Sequence, residues 1–248
     1  MKRQSNHKII ISGGGTGGHI YPAVSIANAI KTQDPGADIL FVGALGRMEM
    51  EKVPAAGYTI KGLPIAGLRR DLSLKSIREN LLLPFRLLDS IAAARKILDQ
   101  YKPTVAVGVG GYASGPLLWA AGRKGVPYII QEQNSYAGKT NKLLAPKAVH
   151  ICVAYPGMEK FFPASKIVLT GNPIRNDILP STRESHQAAC NHFGLDPKKK
   201  TILVIGGSLG AGTLNRCMEN FLPRAGNFPV QILWQSGKNG ILQATKAK

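Results

Sequence analysis

The sequence predicts an α/β protein in which parallel sheets carry helices on both faces. Short apolar runs alternate with helical segments along its 248 residues, which is the pattern of strands joined by crossover helices. Glycine clusters directly follow several of these runs. The order of strand, glycine loop and helix occurs around Gly13–His19 and again around Gly206–Ala211, so two Rossmann-like, doubly wound domains are the economical interpretation.

The individual elements follow from apolar runs and the turn residues between them. Pro22 should occupy a tolerated position in the first turn of its helix, whereas Pro84 should kink or break a long helical segment. The predicted strands are KIIIS (Lys8–Ser12), ADILFVG, YTIKGL, TVAVGVGG, PYIIQEQN, AVHICV, TILVIGG and VQILWQSGK. The predicted helices are YPAVSIANAIK (Tyr21–Lys31), LSLKSIRENLLLPFRLLDSIAAARKILDQY, YASGPLLWAAGRKG and the segment after GGSLGAG.

A turn cluster at Gly171-Asn172-Pro173 separates the two predicted domains. We place the first domain at residues 1–171 and the second at residues 172–248. The second segment has room for about two strands, whereas a doubly wound domain needs about five or six. We therefore expect an incomplete second domain and a chain that is a fragment of a longer protein.

The charge is strongly positive: 32 lysines and arginines against 14 acidic residues give +18. Such a surface attracts phosphates, nucleic acid or an anionic membrane. Because the cations are scattered, aromatic residues make up 6% and no nucleic-acid-reading motif occurs, we predict no nucleic-acid partner. The three cysteines have neither zinc spacing nor a disulfide framework, which favours a reduced, cytoplasmic setting. We expect no signal peptide and no membrane-spanning segment.

Three glycine clusters follow buried strands and begin helices, namely GGGTGGH, GVGGYASGP (Gly108–Pro116) and GGSLGAG (Gly206–Gly212). Unpaired N–H groups and the positive end of the helix dipole then point at one place, which suits an anion. Tight turns also use glycine for packing alone. Three clusters at strand ends nevertheless favour a ligand crevice.

The first cluster satisfies the dinucleotide fingerprint G-x-G-x-x-G through Gly13, Gly15 and Gly18. That fingerprint requires an acidic residue at the end of the second strand to bind the ribose. Asp38 lies at the start of this strand, which ends in Val42-Gly43. We therefore exclude NAD or FAD as the first choice of ligand.

The motifs GGGTGGHIYPA, GVGGYASGP, EQNSYAGKTNKLLA, TGNPIRNDI, GGSLGA and WQSGK together resemble the MurG family of peptidoglycan N-acetylglucosaminyltransferases, from Lys8 to about Lys238. The resemblance implies a GT-B fold, two Rossmann-like domains facing a cleft. It implies UDP-GlcNAc as the donor, held mainly by residues 172–248, and undecaprenyl-pyrophosphoryl-MurNAc-pentapeptide as the acceptor, bound by residues 1–171. GlcNAc would be joined β-1,4 with inversion. No tightly bound cofactor or metal site is implied, and a divalent cation stays open.

Two residues are catalytic candidates. His19 follows the last glycine at a helix N-terminus, whose dipole disfavours the protonated imidazole. A neutral imidazole can accept the proton of an attacking hydroxyl, but the residues alone leave a general base and a ligand-binding or helix-capping residue equally open. The resemblance implies the base. Glu132 is another acid/base candidate, and it could equally be a structural loop anchor.

The resemblance also assigns binding residues. Arg175 suits a pyrophosphate because its guanidinium can pair with two oxygens at once. The alternative is that Arg175 forms a surface ion pair. Leu209 stands where many relatives carry glutamine, and Gln131 where they often carry histidine, so neither receives a role. The implied UDP-GlcNAc-binding residues are Thr16, Gly17, Gly18, Asn134, Arg175 and Ser208. The implied acceptor pyrophosphate loops contain Gly14, Gly15, Gly110, Gly111, Tyr112 and Ser114.

The segment Leu68–Leu88 mixes leucines with cations, which suits an interfacial patch on an anionic leaflet. The alternative is that a kinked helix uses these leucines for its core. The resemblance implies peripheral attachment to the cytoplasmic face of the inner membrane. The predicted membrane patch is Leu72, Leu74, Ile77, Leu81, Phe85, Trp119, Arg69, Arg70 and Arg78.

The leading hypothesis is thus an inverting glycosyltransferase that converts lipid I to lipid II. A UDP-sugar epimerase of GT-B shape is one alternative, and it would need no lipid acceptor. A non-catalytic, anion-binding fragment is the other. The combination of the first two glycine loops with the Leu68–Leu88 segment disfavours the epimerase.

Overall fold

The computed structural model describes residues 7–65, 73, 81–175, 182–207 and 210–240. The chain forms two compact units, Met1–Ile178 and Leu179–Lys248. The predicted boundary after residue 171 lies slightly before this division.

The first unit contains a sheet of seven parallel strands in the order β3-β2-β1-β4-β5-β6-β7. Its strands are β1 (Lys8–Ser12), β2 (Asp38–Ala44), β3 (Thr59–Leu63), β4 (Val105–Gly108), β5 (Tyr128–Glu132), β6 (His150–Val153) and β7 (Ile167–Leu169). Its helices are α1 (Gly17–Gln33), α2 (Glu49–Ala55), α3 (Leu83–Tyr101), α4 (Ser114–Arg123) and α5 (Lys139–Leu144). Short 3₁₀ helices cover Ala145–Lys147, Met158–Lys160 and Ala164–Lys166.

The central strand β1 is buried on both faces, which explains its unbroken apolar run. Ile10 packs into a core cluster on one face of the sheet, and Ile9 and Ile11 pack into the cluster on the other. A strand in a parallel sheet covered on both faces reads as a continuous apolar run instead of an alternating one. The sequence therefore identifies this strand by its composition.

The strand order reverses between β1 and β4, which lie side by side although two strands separate them in the chain. Ser12 of β1 is in register with Gly108 of β4. The segments that follow these residues must therefore leave the sheet next to each other. Parallel sheets open a crevice outside their carboxyl ends at such a reversal, and ligands bind there.

The prolines correct one prediction and agree with another. Helix α1 begins at Gly17, earlier than predicted, so Pro22 lies inside the helix and not in its first turn. Its missing N–H removes the bond to the Gly18 carbonyl. Helix α3 begins at Leu83 with Pro84 in its first turn, which is the expected break. Within the first unit, α2, α5 and β7 have no counterpart among the elements predicted from the sequence.

The second unit contains a parallel two-stranded sheet of β8 (Lys200–Ile205) and β9 (Val230–Gln235) with helices α6 (Arg183–Phe193) and α7 (Gly212–Ala225). Asn215 of α7 joins this helix to the end of β9. Its Nδ2 donates to the Ser236 carbonyl at 3.0 Å, and its Oδ1 accepts from Trp234 Nε1 at 3.3 Å. Ser208 and Leu209 of the third glycine cluster lie outside the described residues.

We expect the second unit to open more readily than the first. Ile202, Leu203 and Ile205 on β8 are 43%, 57% and 57% exposed, whereas β1 is buried, and a two-stranded sheet is marginally stable by itself. In native-state hydrogen exchange of the 248-residue chain, amides of β8 and β9 should exchange at least about 100-fold faster than those of β1 and β4. Equal protection of the two sheets would contradict this expectation.

Candidate functional site

Three loops meet at the carboxyl ends of β1, β4 and β5, which are adjacent strands of the sheet. They enclose a polar cavity of about 300 Å³. The residues that line the polar cavity are His19, Gly110, Gly111, Tyr112, Glu132, Asn134, Gly138, Lys139, Thr140 and Asn141. The predicted crevice at the strand ends is thus present in the first unit, and it contains both catalytic candidates.

The first two glycine loops are in direct backbone contact. Gly111 has a φ of +78°, and a Cβ built on it would collide with the carbonyl oxygen of Gly14. Only glycine accommodates both this conformation and this approach. The Ser114 hydroxyl donates a hydrogen bond to the Gly111 carbonyl at 3.0 Å, so the structure gives that hydroxyl a role within its own loop.

His19 lies half-buried in the first turn of α1. Its Nδ1 lies 3.2 Å from Thr16 Oγ1, and its Nε2 would be 3.1 Å from a Cβ at Gly110. Burial lowers the pKa of the imidazole, while Glu132, the Gly14 carbonyl and Glu49 act in the opposite direction. Because burial is the largest of these effects, the pKa lies below its usual value and the ring is neutral near pH 7.

Glu132 is 2% exposed, and both of its carboxylate oxygens are fully engaged. Oε1 accepts from the backbone N and from Nδ2 of Asn134 at 3.1 and 3.0 Å. Oε2 accepts from the Gly138 N–H and from Asn141 Nδ2, each at 2.9 Å. A carboxylate with this many donors holds the loop after β5 in place, so these contacts favour the loop-anchor interpretation over the acid/base one.

The predicted pyrophosphate contact at Gly15 meets a competing partner. The Gly15 N–H donates to Glu49 Oε2 at 3.0 Å, and the side chain of Glu49 is fully buried. This N–H is therefore not available to an anion. Gly110, Gly111 and Tyr112 do line the polar cavity.

The predicted donor-binding residues are only partly brought together. Thr16 lies beside His19, and Asn134 lines the polar cavity. Arg175 lies elsewhere in the first unit: its guanidinium is 5.5 Å from the centre of the Tyr21 ring, and it lines a separate cavity of about 530 Å³. Ser208 lies outside the described residues.

Sequence reasoning missed several residues of the site, namely Glu49, Lys139, Thr140 and Asn141. The last three lie in the first turn of α5, and their position within the motif EQNSYAGKTNKLLA was the available signal. Glu49 carried no signal, because an acidic residue at the start of a helix is common on protein surfaces.

An apolar groove adjoins the polar cavity. It has a volume of about 420 Å³ and shares Tyr112, Lys139 and Thr140 with the polar cavity. Its remaining lining residues are Ile65, Leu87, Ile91, Gly115, Pro116, Trp119, Leu143 and Leu144. An elongated ligand with one polar and one apolar end could therefore occupy both spaces at once.

The described members of the predicted membrane patch are exposed or flanked by cations. Leu81 and Phe85 are 70% and 67% exposed. The Trp119 ring lies between the guanidinium groups of Arg95 and Arg123, at 5.4 and 4.9 Å. The other predicted members, Leu72, Leu74, Ile77, Arg69, Arg70 and Arg78, lie outside the described residues.

The described residues contain neither a membrane-spanning helix nor a cluster of metal ligands. No helix among residues 7–65, 81–175, 182–207 and 210–240 is long and apolar enough to cross a membrane. Within the same ranges, no group of three or more His, Cys, Asp or Glu side chains is arranged to hold a metal ion.

The pattern of a glycosyltransferase domain covers the whole site-bearing region. The family described as the glycosyltransferase family 28 N-terminal domain matches residues 9–153, more than half of the chain. The chain belongs to glycosyltransferase family 28. The match extends from β1 to the end of β6, so it includes the polar cavity with His19 and Glu132 and the helices around the apolar groove.

Similar proteins carry a common name. A "UDP-N-acetylglucosamine--N-acetylmuramyl-(pentapeptide) pyrophosphoryl-undecaprenol N-acetylglucosamine transferase" of Phocaeicola vulgatus is 59% identical over 244 residues, which are 98% of this chain and 64% of that protein. The enzyme of the same name from Parabacteroides distasonis is 57% identical over 97% of this chain and 64% of its own length. The chain thus spans about 64% of the length of these curated relatives.

Solved structures with a similar fold include a protein of the same family as these relatives. The crystal structure of Acinetobacter baumannii MurG has a TM-score of 0.71 and 28% identity, over 97% of this chain and 64% of that chain. A UDP-GlcNAc 2-epimerase from Neisseria meningitidis has a TM-score of 0.61 at 15% identity, over 97% of this chain and 69% of that chain, which shows a common fold alone. The predicted resemblance to MurG and the predicted α/β class of GT-B type are confirmed.

Removing the Glu132 carboxylate should destabilise the first unit. Glu132→Ala leaves the donors of Asn134, Gly138 and the buried Asn141 without their acceptor, and we expect the free energy of unfolding to fall by about 3 kcal/mol. Glu159→Ala, at an exposed acidic residue, is the control and should change it by less than about 0.5 kcal/mol. Urea denaturation measures both, and equal effects of the two substitutions would refute the anchor role.

Proposed function

We propose that this chain contains the acceptor-binding part of an N-acetylglucosaminyltransferase. The reaction would move GlcNAc from UDP-GlcNAc to the MurNAc 4-hydroxyl of undecaprenyl-pyrophosphoryl-MurNAc-pentapeptide, with inversion. The observation that carries the proposal is a neutral, half-buried histidine in a polar cavity that continues into an apolar groove.

The two adjoining spaces suit the parts of this acceptor. The polar cavity offers His19, Asn134 and Asn141 as partners for a sugar. Lys139 lines both spaces, and its ammonium group is a suitable partner for a diphosphate between sugar and lipid. The groove between α3, α4 and α5 would then take the first part of the polyprenyl chain, since apolar surface is favourably removed from water there.

His19 is the proposed general base. An inverting transfer is a single displacement in which the acceptor oxygen bonds to the anomeric carbon of GlcNAc, the bond from that carbon to UDP breaks and UDP departs. The hydroxyl proton passes to the imidazole, which is neutral before the reaction and positively charged after it. Glu132 and Glu49 favour the charged imidazole electrostatically, so they stabilise the product of the proton transfer.

The relatives support transfer over the alternatives. The proteins that are 59% and 57% identical carry the name of the transferase, whereas the epimerase likeness rests on 15% identity. We assign residues 172–248 to the UDP-sugar side, with Arg175 and the loop around Ser208 as proposed donor contacts. The charge of +18 suits a chain whose two proposed substrates and proposed membrane surface are all anionic.

The His19 proposal is tested in the complete protein that carries this chain, with labelled UDP-GlcNAc and a lipid-linked acceptor. His19→Ala should lower the transfer rate by about 10³-fold, because a positioned base contributes 10²- to 10⁴-fold, and should leave the thermal midpoint nearly unchanged. His150→Ala, at an exposed histidine of β6, is the matched control with near-normal turnover. Near-normal turnover of His19→Ala would remove His19 from the mechanism.

We further propose that the predicted membrane patch attaches the protein to the anionic, cytoplasmic face of the inner membrane. The exposed Leu81 lies two residues before α3, and the exposed Phe85 lies in the first turn of this helix. Helix α3 also lines the apolar groove through Leu87 and Ile91. Docking through this surface would bring the groove to the level of the lipid chain.

Vesicle binding tests this attachment. Replacing Arg69, Arg70 and Arg78 by Glu should weaken binding to anionic vesicles and flatten its salt dependence, because fewer charges then attract the surface. Leu81→Ser with Phe85→Ser should weaken binding without changing the salt dependence. Leu169→Ser, at a residue of β7 that is 60% exposed, is the control for the apolar pair. Vesicle binding that neither set of substitutions weakens would assign these residues to a solvated face.

A further inference from the structure

Glu49 is a buried carboxylate that bonds to the backbone of two separate segments. Its side chain has no exposed surface. Oε2 accepts from the Gly15 N–H in the first glycine loop, and Oε1 accepts from the Ala44 N–H at the end of β2, each at 3.0 Å. Burying a carboxylate is costly unless hydrogen-bond donors satisfy it. The two backbone N–H groups supply such donors, so this position specifically suits an acidic side chain.

The surrounding glycines make room for this side chain. A Cβ at Gly43 would lie 2.5 Å from Glu49 Cγ, and a Cβ at Gly14 would collide with the carboxylate itself. A methyl group at either position would therefore displace the acid. These two glycines, in two different segments, serve the same buried carboxylate.

The Gly15 bond is connected to His19 by a short path. Gly15 is followed by Thr16, which is the N-cap residue of α1, and Thr16 Oγ1 lies 3.2 Å from His19 Nδ1. On its other side, Gly15 approaches Tyr112, because a Cβ there would lie 3.1 Å from the Tyr112 ring. Glu49 and Tyr112 together fix where the chain enters α1.

We propose that Glu49 is the positioning residue for His19: its carboxylate ties the first glycine loop to the end of β2 and thereby sets the place of the imidazole in the polar cavity. The catalytic part of this inference rests on the proposed function. The positional part does not, because it follows from the Gly15 and Ala44 hydrogen bonds.

The charge of Glu49 adds a second effect, which makes the role measurable. The charged groups that act on His19 are Glu132 from β5 and Glu49 from α2, and Tyr112 and Lys139 line the same cavity. The negative charge of Glu49 raises the pKa of His19. Removing that charge therefore lowers this pKa, and a base that must be neutral stays active to lower pH.

Glu49→Gln is the test variant, because it keeps the shape, removes the charge and leaves one acceptor oxygen for two N–H groups. Glu49→Asp keeps the charge but is one methylene shorter. Glu51→Gln, at an exposed acid of the same helix that pairs with Lys52 at 2.8 Å, is the matched control. Three readouts are measured in the complete protein: amide exchange of residues 13–19, the NMR titration of His19, and kcat and KM for transfer.

In Glu49→Gln we expect the amides of residues 13–19 to exchange at least about tenfold faster. The His19 titration and the acidic limb of kcat should move to lower pH, and kcat should fall about 100-fold with KM within about threefold. Glu49→Asp should loosen the loop with a smaller displacement of the titration, and Glu51→Gln should change nothing.

Unchanged loop exchange and an unchanged His19 titration in a folded Glu49→Gln protein would overturn the inference. If Glu49→Gln does not fold, the same exchange measurement on Glu49→Asp decides, and wild-type loop protection there is the overturning result. Absence of transfer by the wild-type protein would refute the proposed function alone, since exchange and titration do not depend on turnover.

Discussion

The backbone contact between Gly14 and Gly111 is the constraint on which the candidate site depends. It follows from the sheet, because the register of Ser12 with Gly108 makes the loops after β1 and β4 leave the same edge side by side. Side chains at the contact would force the loops apart, and the space between them and the loop after β5 would change. Because the loops touch through backbone atoms, the His19 ring reaches the second loop and its Nε2 edge faces Gly110.

Two buried carboxylates stabilise the irregular backbone around this contact. Glu132 satisfies donors of the loop after β5, and Glu49 joins the first glycine loop to β2. Backbone N–H groups in the loops at the end of a sheet have no hydrogen-bond partner on a neighbouring strand. Where such N–H groups are buried, side-chain oxygens can accept their hydrogen bonds. Both charges also act on His19, and they make the inner part of the cavity unfavourable for an anion. Under the proposed function, the acceptor diphosphate therefore belongs near Lys139 and not at Gly14 and Gly15.

The sequence was most informative where the structure requires a particular amino-acid composition, as it does in buried strands. Parallel strands buried on both faces are mostly apolar, so the runs at Lys8–Ser12 and Val105–Gly108 were identified. The start of α1 was missed because Gly17 and Gly18 have poor helix propensity, and tertiary contacts override it. Helices α2 and α5 have only seven and six residues, which is too short to show the 3.6-residue hydrophobic period of a helix. His19 was found through its motif, whereas Glu49 depends on partners far away in the chain.

The apolar groove connects the chemistry of the site to the exposed surface of α3. Leu87 and Ile91 line the groove, while Phe85 and Leu88, on the same helix, are 67% and 63% exposed. This helix therefore has apolar side chains on the side that faces the groove and also on the side that faces the solvent. An exposed apolar patch of this kind is typical of a surface that binds a membrane or another protein. Trp119 also lines the groove, between two guanidinium groups that suit phosphate headgroups. If a lipid surface covers the exposed side, a lipid-linked acceptor can keep its chain in apolar surroundings while its sugar reaches His19. The same helix would then serve both attachment and acceptor binding, so apolar substitutions on α3 would affect the two together.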